Sequence, residues 1–452
     1  MKRCNLHYFC SFLYNSIPHK RGRCLQGGHF LMIFLCIGVL SPAAALPLSL
    51  DDAIKHGLEN SLNLKRSLID LSTAEYSAKR LWAEVFPTIN GSVGTSYGSP
   101  LFSGDGFEMD KKGVSNNASL GLNLAFNAGI PYTMKNIKLV YQARLLSYED
   151  ARNQLELEIT KNFYSLIADR DNLASLDYTL QLAQRQYERD RVAFNNGLIG
   201  ELSLMQSRLG LENARYDLSA AHSAYANRLI YFLSQLGIAS DADTALEGKI
   251  EIVKTEVDAE KLIREYLPRR PDIVSKRQEI EQLENAEKQT ALSANRAPSL
   301  TLSAQWRSSE FDPFLDNLSG SASINIPIDP WIPGTARSQS VRNAKNAVEK
   351  ARLDLQNIED AATAQIRSLA ANLQNSWDSI EIARLSLSIA ERGYELTEEG
   401  FRNGTVDSLK LEDARKNLVN ARQRLLQAEL SYFNMILDIS AALNISWKDL
   451  MK

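Results

Sequence analysis

Residues 194–238 and 401–445 are one segment written twice, aligned without a gap at a constant spacing of 207. Roughly 16 of the 45 positions are identical, against about three or four for unrelated helical stretches. The identities fall at structural positions: Asn196/Asn403 and Gly197/Gly404, then Leu204/Leu411, Leu211/Leu418, Leu218/Leu425 and Tyr225/Tyr432. A period near 200 is too long for a solenoid, whose units run to roughly 20–50 residues. The chain therefore reads as two copies of one large unit in a pseudo-symmetric body.

The first 45 residues read as a signal peptide. Lys2, Arg3, Lys20, Arg21 and Arg23 come without a single acid, an apolar run follows from Phe30 to Leu40, and Ala43-Ala44-Ala45 offers a small-residue cleavage site. The run of about 11 apolar residues is too short for a bilayer span, which weighs against a retained anchor helix. Met32 is an alternative start that leaves the cut unchanged. All four cysteines (Cys4, Cys10, Cys24, Cys36) would leave with this leader, so the mature chain has no disulfide, thiolate site or thiol nucleophile. Leu35 before Cys36 is not the small residue expected at a lipoprotein cut. Processing also carries the formal charge from −3 to −8, which does not favour nucleic acid, whose binders are usually basic.

From about 132 to 193 and from about 336 to 392 there is neither proline nor glycine. As helix, these runs would extend roughly 90 Å at 1.5 Å per residue. After Gly197 and Gly404 a shorter helix follows in each copy, with apolar residues every seven positions. In the first copy they are Leu204, Leu211, Leu218, Tyr225 and Phe232, and in the second Leu411, Leu418, Leu425, Tyr432 and Ile439. A second seam is small: Ser207, Ala214, Ala221, then Ala414, Ala421, Ala428. A strict heptad over four repeats imposes left-handed coiled-coil packing. The expectation is long antiparallel helical hairpins that reverse at Asn-Gly, where glycine accepts the left-handed conformation. Gly197 and Gly404 are then either plain caps or parts of a shared functional tip.

Each long helix is preceded by two alternating stretches. Leu120, Leu122, Leu124 and Phe126 alternate with small or polar residues, as do Ile324, Ile326 and Ile328, with weaker partners at Ile89, Val93, Tyr97 and at Leu300, Leu302, Trp306. At about 9–11 residues they suit tilted membrane strands; a soluble hairpin on a core remains the alternative. Four strands cannot enclose a membrane barrel, for which about eight is the usual minimum, so strands in lipid would have to be shared among several chains. The links around 99–115 and 309–318 read as solvent-exposed loops.

On these residues the mature sequence resembles the TolC family of outer-membrane efflux proteins. LSLDDAIKHGLENSLNL at 48–64 and Arg270-Pro271-Asp272-Ile273 resemble the family's openings of its two halves, and Phe194–Leu198 and Phe401–Thr405 its two tips. The resemblance implies a mainly α fold with a small β part. It implies first and second structural repeats at 46–238 and 263–452, and an equatorial linker at 239–262. The assembly would be a homotrimer in the outer membrane of a Gram-negative-type bacterium: a twelve-stranded barrel in lipid above a helical α-barrel crossing the periplasm. It would serve tripartite efflux or type I secretion as a passive exit duct, docked to a periplasmic adaptor and an inner-membrane transporter through Gly197, Leu198, Gly404 and Thr405. The family's gate positions hold Phe401, Val406, Lys410, Asp413 and, in the first copy, Ser203, so a salt-bridge lock of the family's kind is incomplete. Gate candidates are the acids Asp413, Asp407, Glu412 and Glu201. The alternative for these is that they are solvated acids favouring a helix N-terminus.

An enzyme is disfavoured. Only His56 and His222 remain after processing, without metal-ligand spacing, and there is neither a phosphate-cradling loop nor a serine elbow. No cofactor or metal is expected. The rival reading is a soluble periplasmic coiled-coil adaptor or scaffold, although adaptors usually carry one helical hairpin among β-rich domains.

Overall fold

The computed structural model describes residues 46–97, 114–239, 244–292, 297–309 and 317–451. The expected signal peptide and most of the two strand-to-strand links lie outside the described residues. The first pass along the chain runs β1 (Leu46–Leu48), α1 (Leu50–Asn60), α2 (Leu62–Lys79), β2 (Thr88–Tyr97), β3 (Val114–Asn127), α3 (Ile130–Asn195) and α4 (Glu201–Gln235). The second runs β4 (Thr244–Leu246), α5 (Ala259–Tyr266), α6 (Pro271–Ala291), β5 (Ser299–Ser309), β6 (Asn317–Asn325), α7 (Ala336–Arg402), α8 (Ser408–Leu443) and the short α9 (Trp447–Leu450). The duplication is thus one of whole elements: short helices, two strands, a long helix and its returning partner.

At 66 and 67 residues, α3 and α7 are each about 100 Å long. Pro131 sits in the first turn of α3, where its missing N–H costs nothing, and Thr335 caps α7 by accepting from the Ser338 N–H at 3.3 Å. α7 continues through Gly393 and Gly400, beyond the glycine-free run read from sequence. A helical glycine costs about 1 kcal/mol, which the packing of so long a helix overrides. The seams are as expected. Leu211, Phe232, Leu411, Leu418, Tyr432 and Ile439 are buried, the remaining heptad residues half-buried, and Ala214 and Ala421 buried on the small seam. α3 packs on α4 and α7 on α8 as antiparallel hairpins.

The bases of the hairpins are bound by a mixed belt. β1 pairs in parallel with β4, and Leu48 and Leu246 join Ile159, Phe163, Phe232 and Leu236 in one apolar cluster. In the second half, Ile366, Leu373, Ile380 and Tyr432 form the core under α5 and the C-terminal tail. Tyr432 pins residues 253–255 by donating its hydroxyl to the Val253 carbonyl (3.0 Å) and accepting from the Thr255 N–H (2.9 Å). Trp447 stacks edge-on with Phe433 and Tyr164, holding the tail against α3 and α8. At the head of α6, buried Arg270 grips Asp272 at 2.8 and 3.1 Å and Gln365 of α7 at 3.1 Å. Burial pulls the Asp272 carboxyl up, but the hydrogen bonds and charge of Arg270 and the Ile273 N–H outweigh it, and its pKa ends below the usual value.

The four long strands form a single antiparallel sheet in the order β2-β3-β5-β6. Beyond the two expected hairpins, β3 pairs with β5, from Asn117↔Ser309 to Asn127↔Ser299, which joins the two halves. The register puts Ile89, Val93, Leu120, Leu122, Leu124, Phe126, Leu300, Leu302, Trp306, Leu318 and Ile324 on one face. The other face carries Ser, Thr and Asn, tied by Ser92–Ser119 (2.8 Å) and Ser303–Ser321 (2.7 Å) hydrogen bonds. The apolar face is left open, with Val93 and Leu318 each 78% exposed. One expectation is corrected: β6 ends at Asn325, so Ile326 and Ile328 are not strand residues. Pro327 between them has no N–H to give to a ladder. No helix among the described residues is long and apolar enough to cross a membrane.

Candidate functional site at the hairpin tips

The two reversals are built alike. At the end of α3, the Gly197 N–H donates to the Phe194 carbonyl (2.9 Å) and the Leu198 N–H to that of Ala193 (2.8 Å), with Gly197 at φ 70°. At the end of α7, Gly404 N–H bonds to Phe401 (3.0 Å) and Thr405 N–H to Gly400 (2.9 Å), with Gly404 at φ 72°. These are Schellman caps, in which only glycine adopts the left-handed turn without a Cβ clash. A Cβ on either glycine would meet open space, so the constraint is on the backbone and the surface above it is free. Gly400 has a different reason: a Cβ there would lie 2.7 Å from Val406 Cγ2, which folds back over the helix end.

The expected contact residues all lie at this end. Leu198 is 76% exposed, and Leu202 and Leu409 in the following first turns are exposed as well. Thr405 is exposed and donates its hydroxyl to the Gly400 carbonyl at 3.0 Å.

The four gate acids do not converge within the chain. Asp407 is the N-cap of α8, accepting from the Lys410 N–H at 2.9 Å. Glu412 is half-buried and holds Arg415 at 2.6 and 2.9 Å. Asp413 and Glu201 are exposed, Glu201 in the first turn of α4.

Behind the tip, α3, α4, α7 and α8 meet in a polar junction that the sequence reading missed. Ser408 donates to Gln206 of α4 (2.9 Å), and Arg415 reaches the Gly210 carbonyl (3.2 Å). Gly210 permits this seating, because a Cβ there would stand 3.0 Å from Glu412 Oε2 and 3.3 Å from Arg415 Nη2. Asp190 of α3 is buried, with one carboxylate oxygen accepting from Gln186 at 2.9 Å. Burial pushes its pKa up, against the opposing pull of Gln186, Ser207 and Arg189. Arg189 reaches Glu398 of α7 at 3.4 Å, and burial followed by Glu398 raises the Tyr394 hydroxyl. A signal was present in the sequence: Leu176, Ala183 and Asp190 are buried at seven-residue steps, which places an acid on an apolar seam.

Comparison with known proteins accounts for both halves. A family model described as outer membrane efflux protein matches residues 53–237 and 262–444. The cation efflux system protein CusC of Escherichia coli O157:H7 is 24% identical over 420 residues, covering 87% of this chain and 85% of that protein. Among solved structures, the CmeC outer membrane channel of Campylobacter jejuni matches with a TM-score of 0.71 at 20% identity, over 87% of this chain and 85% of that one. The open-state MtrE outer membrane channel of Neisseria gonorrhoeae matches with a TM-score of 0.71 at 15% identity, over 91% and 95%. These relatives are channels rather than enzymes, and the match favours a channel over a soluble adaptor. The repeated hairpins, the four-stranded sheet and the matched residues thus make this chain a member of the outer membrane efflux protein family, an efflux channel of the outer membrane that extends into the periplasm.

Proposed function

We propose that three copies of this chain form one exit duct, two structural repeats (46–238 and 263–452) being contributed by each. The observation that carries this is the β2-β3-β5-β6 sheet, with one exposed apolar face and, among the described residues, β2 and β6 paired on one side only. Unpaired backbone at a strand edge costs several kcal/mol per group in hydrocarbon, and four strands are half the usual minimum for closure. Three sheets joined edge to edge give twelve strands with the apolar face toward lipid and the Ser/Thr/Asn face toward water. Light scattering on protein extracted from membranes in detergent tests this. Three chains per particle are expected, and a one-chain particle overturns the reading.

In the same proposal the tips dock a periplasmic adaptor that links the duct to an inner-membrane transporter, which sets the cargo, whether for efflux or for type I secretion. Support comes from the exposed Leu198 and Thr405 and the open space over Gly197 and Gly404. Gly197→Asp with Gly404→Asp adds charge at both tips with a residue that tolerates the left-handed turn better than most. Export is expected to be lost while trimers still form; normal export from this variant would remove the docking role.

The gate is assigned to the same end, and the open state named for MtrE supports a duct that changes state. With Asp407 capping and Glu412 paired, Asp413 and Glu201 are the acids left free to ring an axis. Like charges brought together attract cations. Asp413→Ala is expected to relieve block by multivalent cations in single-channel recordings, and unchanged block removes the ring.

A further inference from the structure

The long-stranded sheet is almost free of charge. Of all the residues in β2, β3, β5 and β6, Arg307 of β5 alone is charged. The register sets it opposite Ser119 of β3 and Asn317 of β6, on the face of serine, threonine and asparagine, while its neighbour Trp306 belongs to the apolar face. Arg307 is exposed, and no acid among the described residues pairs with it. The helices join the sheet at the Thr88, Asn127, Ser299 and Asn325 ends, which therefore face the periplasm. Arg307, close to the end of β5 at Ser309, lies toward the opposite, external rim. When Thr88-Ile89 is laid over Ser299-Leu300, the first repeat has Ser96 at this position, so the charge occurs once per chain. The strand itself has no use for it, and side chains on the water face of such barrels tune selectivity rather than stability.

The dimensions of a shared barrel bring the copies of this arginine together. With strands about 4.8 Å apart and tilted about 40°, twelve of them enclose a backbone radius of about 12 Å. An arginine side chain reaches about 6 Å at ordinary bond lengths, which leaves each guanidinium about 6 Å from the axis and about 10 Å from its two symmetry mates. That separation is close to the Debye length of about 8–10 Å at physiological salt, so the three fields merge across the lumen. The guanidinium stays charged at any relevant pH, and its planar fork matches phosphate oxygens.

We propose that Arg307 from three copies forms a cationic collar near the external mouth, a site for small multivalent anions of the oligophosphate kind that gives this section of the duct an anion preference. This rests on the reading of three chains sharing one barrel. The nearest acids of the adjoining link, Glu310 and Asp316, lie outside the described residues.

The test titrates inorganic tripolyphosphate calorimetrically into trimers extracted in detergent. One anion is expected per three chains at about 0.1 M salt, with affinity falling about tenfold or more at about 1 M, where the Debye length shrinks to about 3 Å. Arg307→Gln should abolish this binding, and Arg307→Lys should keep it in weaker form because the charge remains without the fork. Both variants leave the apolar face untouched, so trimer content should match wild type. In planar bilayers, Arg307→Gln is expected to lower the anion-to-cation permeability ratio about threefold or more. Wild-type trimers that bind no tripolyphosphate, as when a link acid neutralises Arg307, would overturn the collar, and so would equal binding to Arg307→Gln or an unchanged permeability ratio. A one-chain particle in light scattering would overturn the shared barrel and the collar together, whereas intact trimers without Arg307-dependent binding would remove the collar alone.

Discussion

The two hairpin tips share a backbone and differ in what lies behind it. Gly197 and Gly404 sit at φ 70° and 72° with the same pair of capping bonds, and both returning helices keep their heptad. Arg208 and Arg415 are the same residue at matching positions, yet Arg208 is exposed and Arg415 is buried against Glu412 and Gly210. Gly210 itself matches Asn417, and Asp190 matches Thr397. Duplication preserved the features that the backbone and the seam demand. The side chains between the hairpins, where each position meets a different neighbour, were free to diverge into one polar junction.

The sharpest way to break this comparison is to truncate both arginines. Arg415→Ala leaves Glu412 half-buried without its cation and the Gly210 carbonyl without its donor, and is expected to cost about 3–5 kcal/mol, against under about 0.5 kcal/mol for Arg208→Ala. Thermal melts of the helical circular dichroism signal would show a large drop in Tm for the first and almost none for the second. Equal drops would mean that the copies are equivalent after all. Next comes Gly210→Ala, which overpacks the Glu412/Arg415 pair and should cost about 1–3 kcal/mol despite alanine's better helix propensity. Asn417→Ala, at an exposed position, should be neutral or slightly stabilising in the same melts.

The caps should behave alike. Gly197→Ala and Gly404→Ala each place a Cβ in the left-handed region, at about 1 kcal/mol apiece, and Asn at either site should cost less. A difference between the two alanine variants larger than their error would show that one tip is strained by its surroundings. The smallest effect concerns the heads of α2, capped by Ser61, and of α6, where Arg270 pairs with Asp272 in the first turn. Asp272 has a lowered pKa in the fold, so its stabilisation is fully present above the unfolded value of about 3.9 and is lost as pH falls through the folded value. Wild type should therefore lose its advantage over Asp272→Asn on acidification below about pH 4, whereas the cost of Ser61→Ala, about 1 kcal/mol, should not depend on pH.

Local rules made much of the fold legible in the sequence. The Asn-Gly reversals, the seven-residue seams and the alternating strands follow from steric and periodic constraints that need only neighbouring residues. The β3–β5 pairing needs knowledge of what lies between, since Leu124 and Leu302 are far apart in sequence and adjacent in the sheet. Gly393 and Gly400 lie inside α7, which ends beside the expected Asn403-Gly404 reversal, because propensity is a weak prior against tertiary packing. Asp190 and Arg415 were missed for a related reason. Finding that they belong to one junction requires the rotation of four helices about their axes, which a heptad gives only for each helix and its immediate partner.

The open sheet has a consequence for how the protein comes to exist. Among the described residues, β2 and β6 are each paired on one side only and the sheet's apolar face is open, and in the proposed assembly it is other copies of the chain that complete them. Completing the fold is then a reaction of higher than first order. Its rate falls steeply as the protein is diluted, and its apparent stability cannot be quoted without a protomer concentration. In the proposed assembly, a chain arriving alone would carry a sticky edge through water until others joined it, exposed to misassembly and to proteases for as long as it waited.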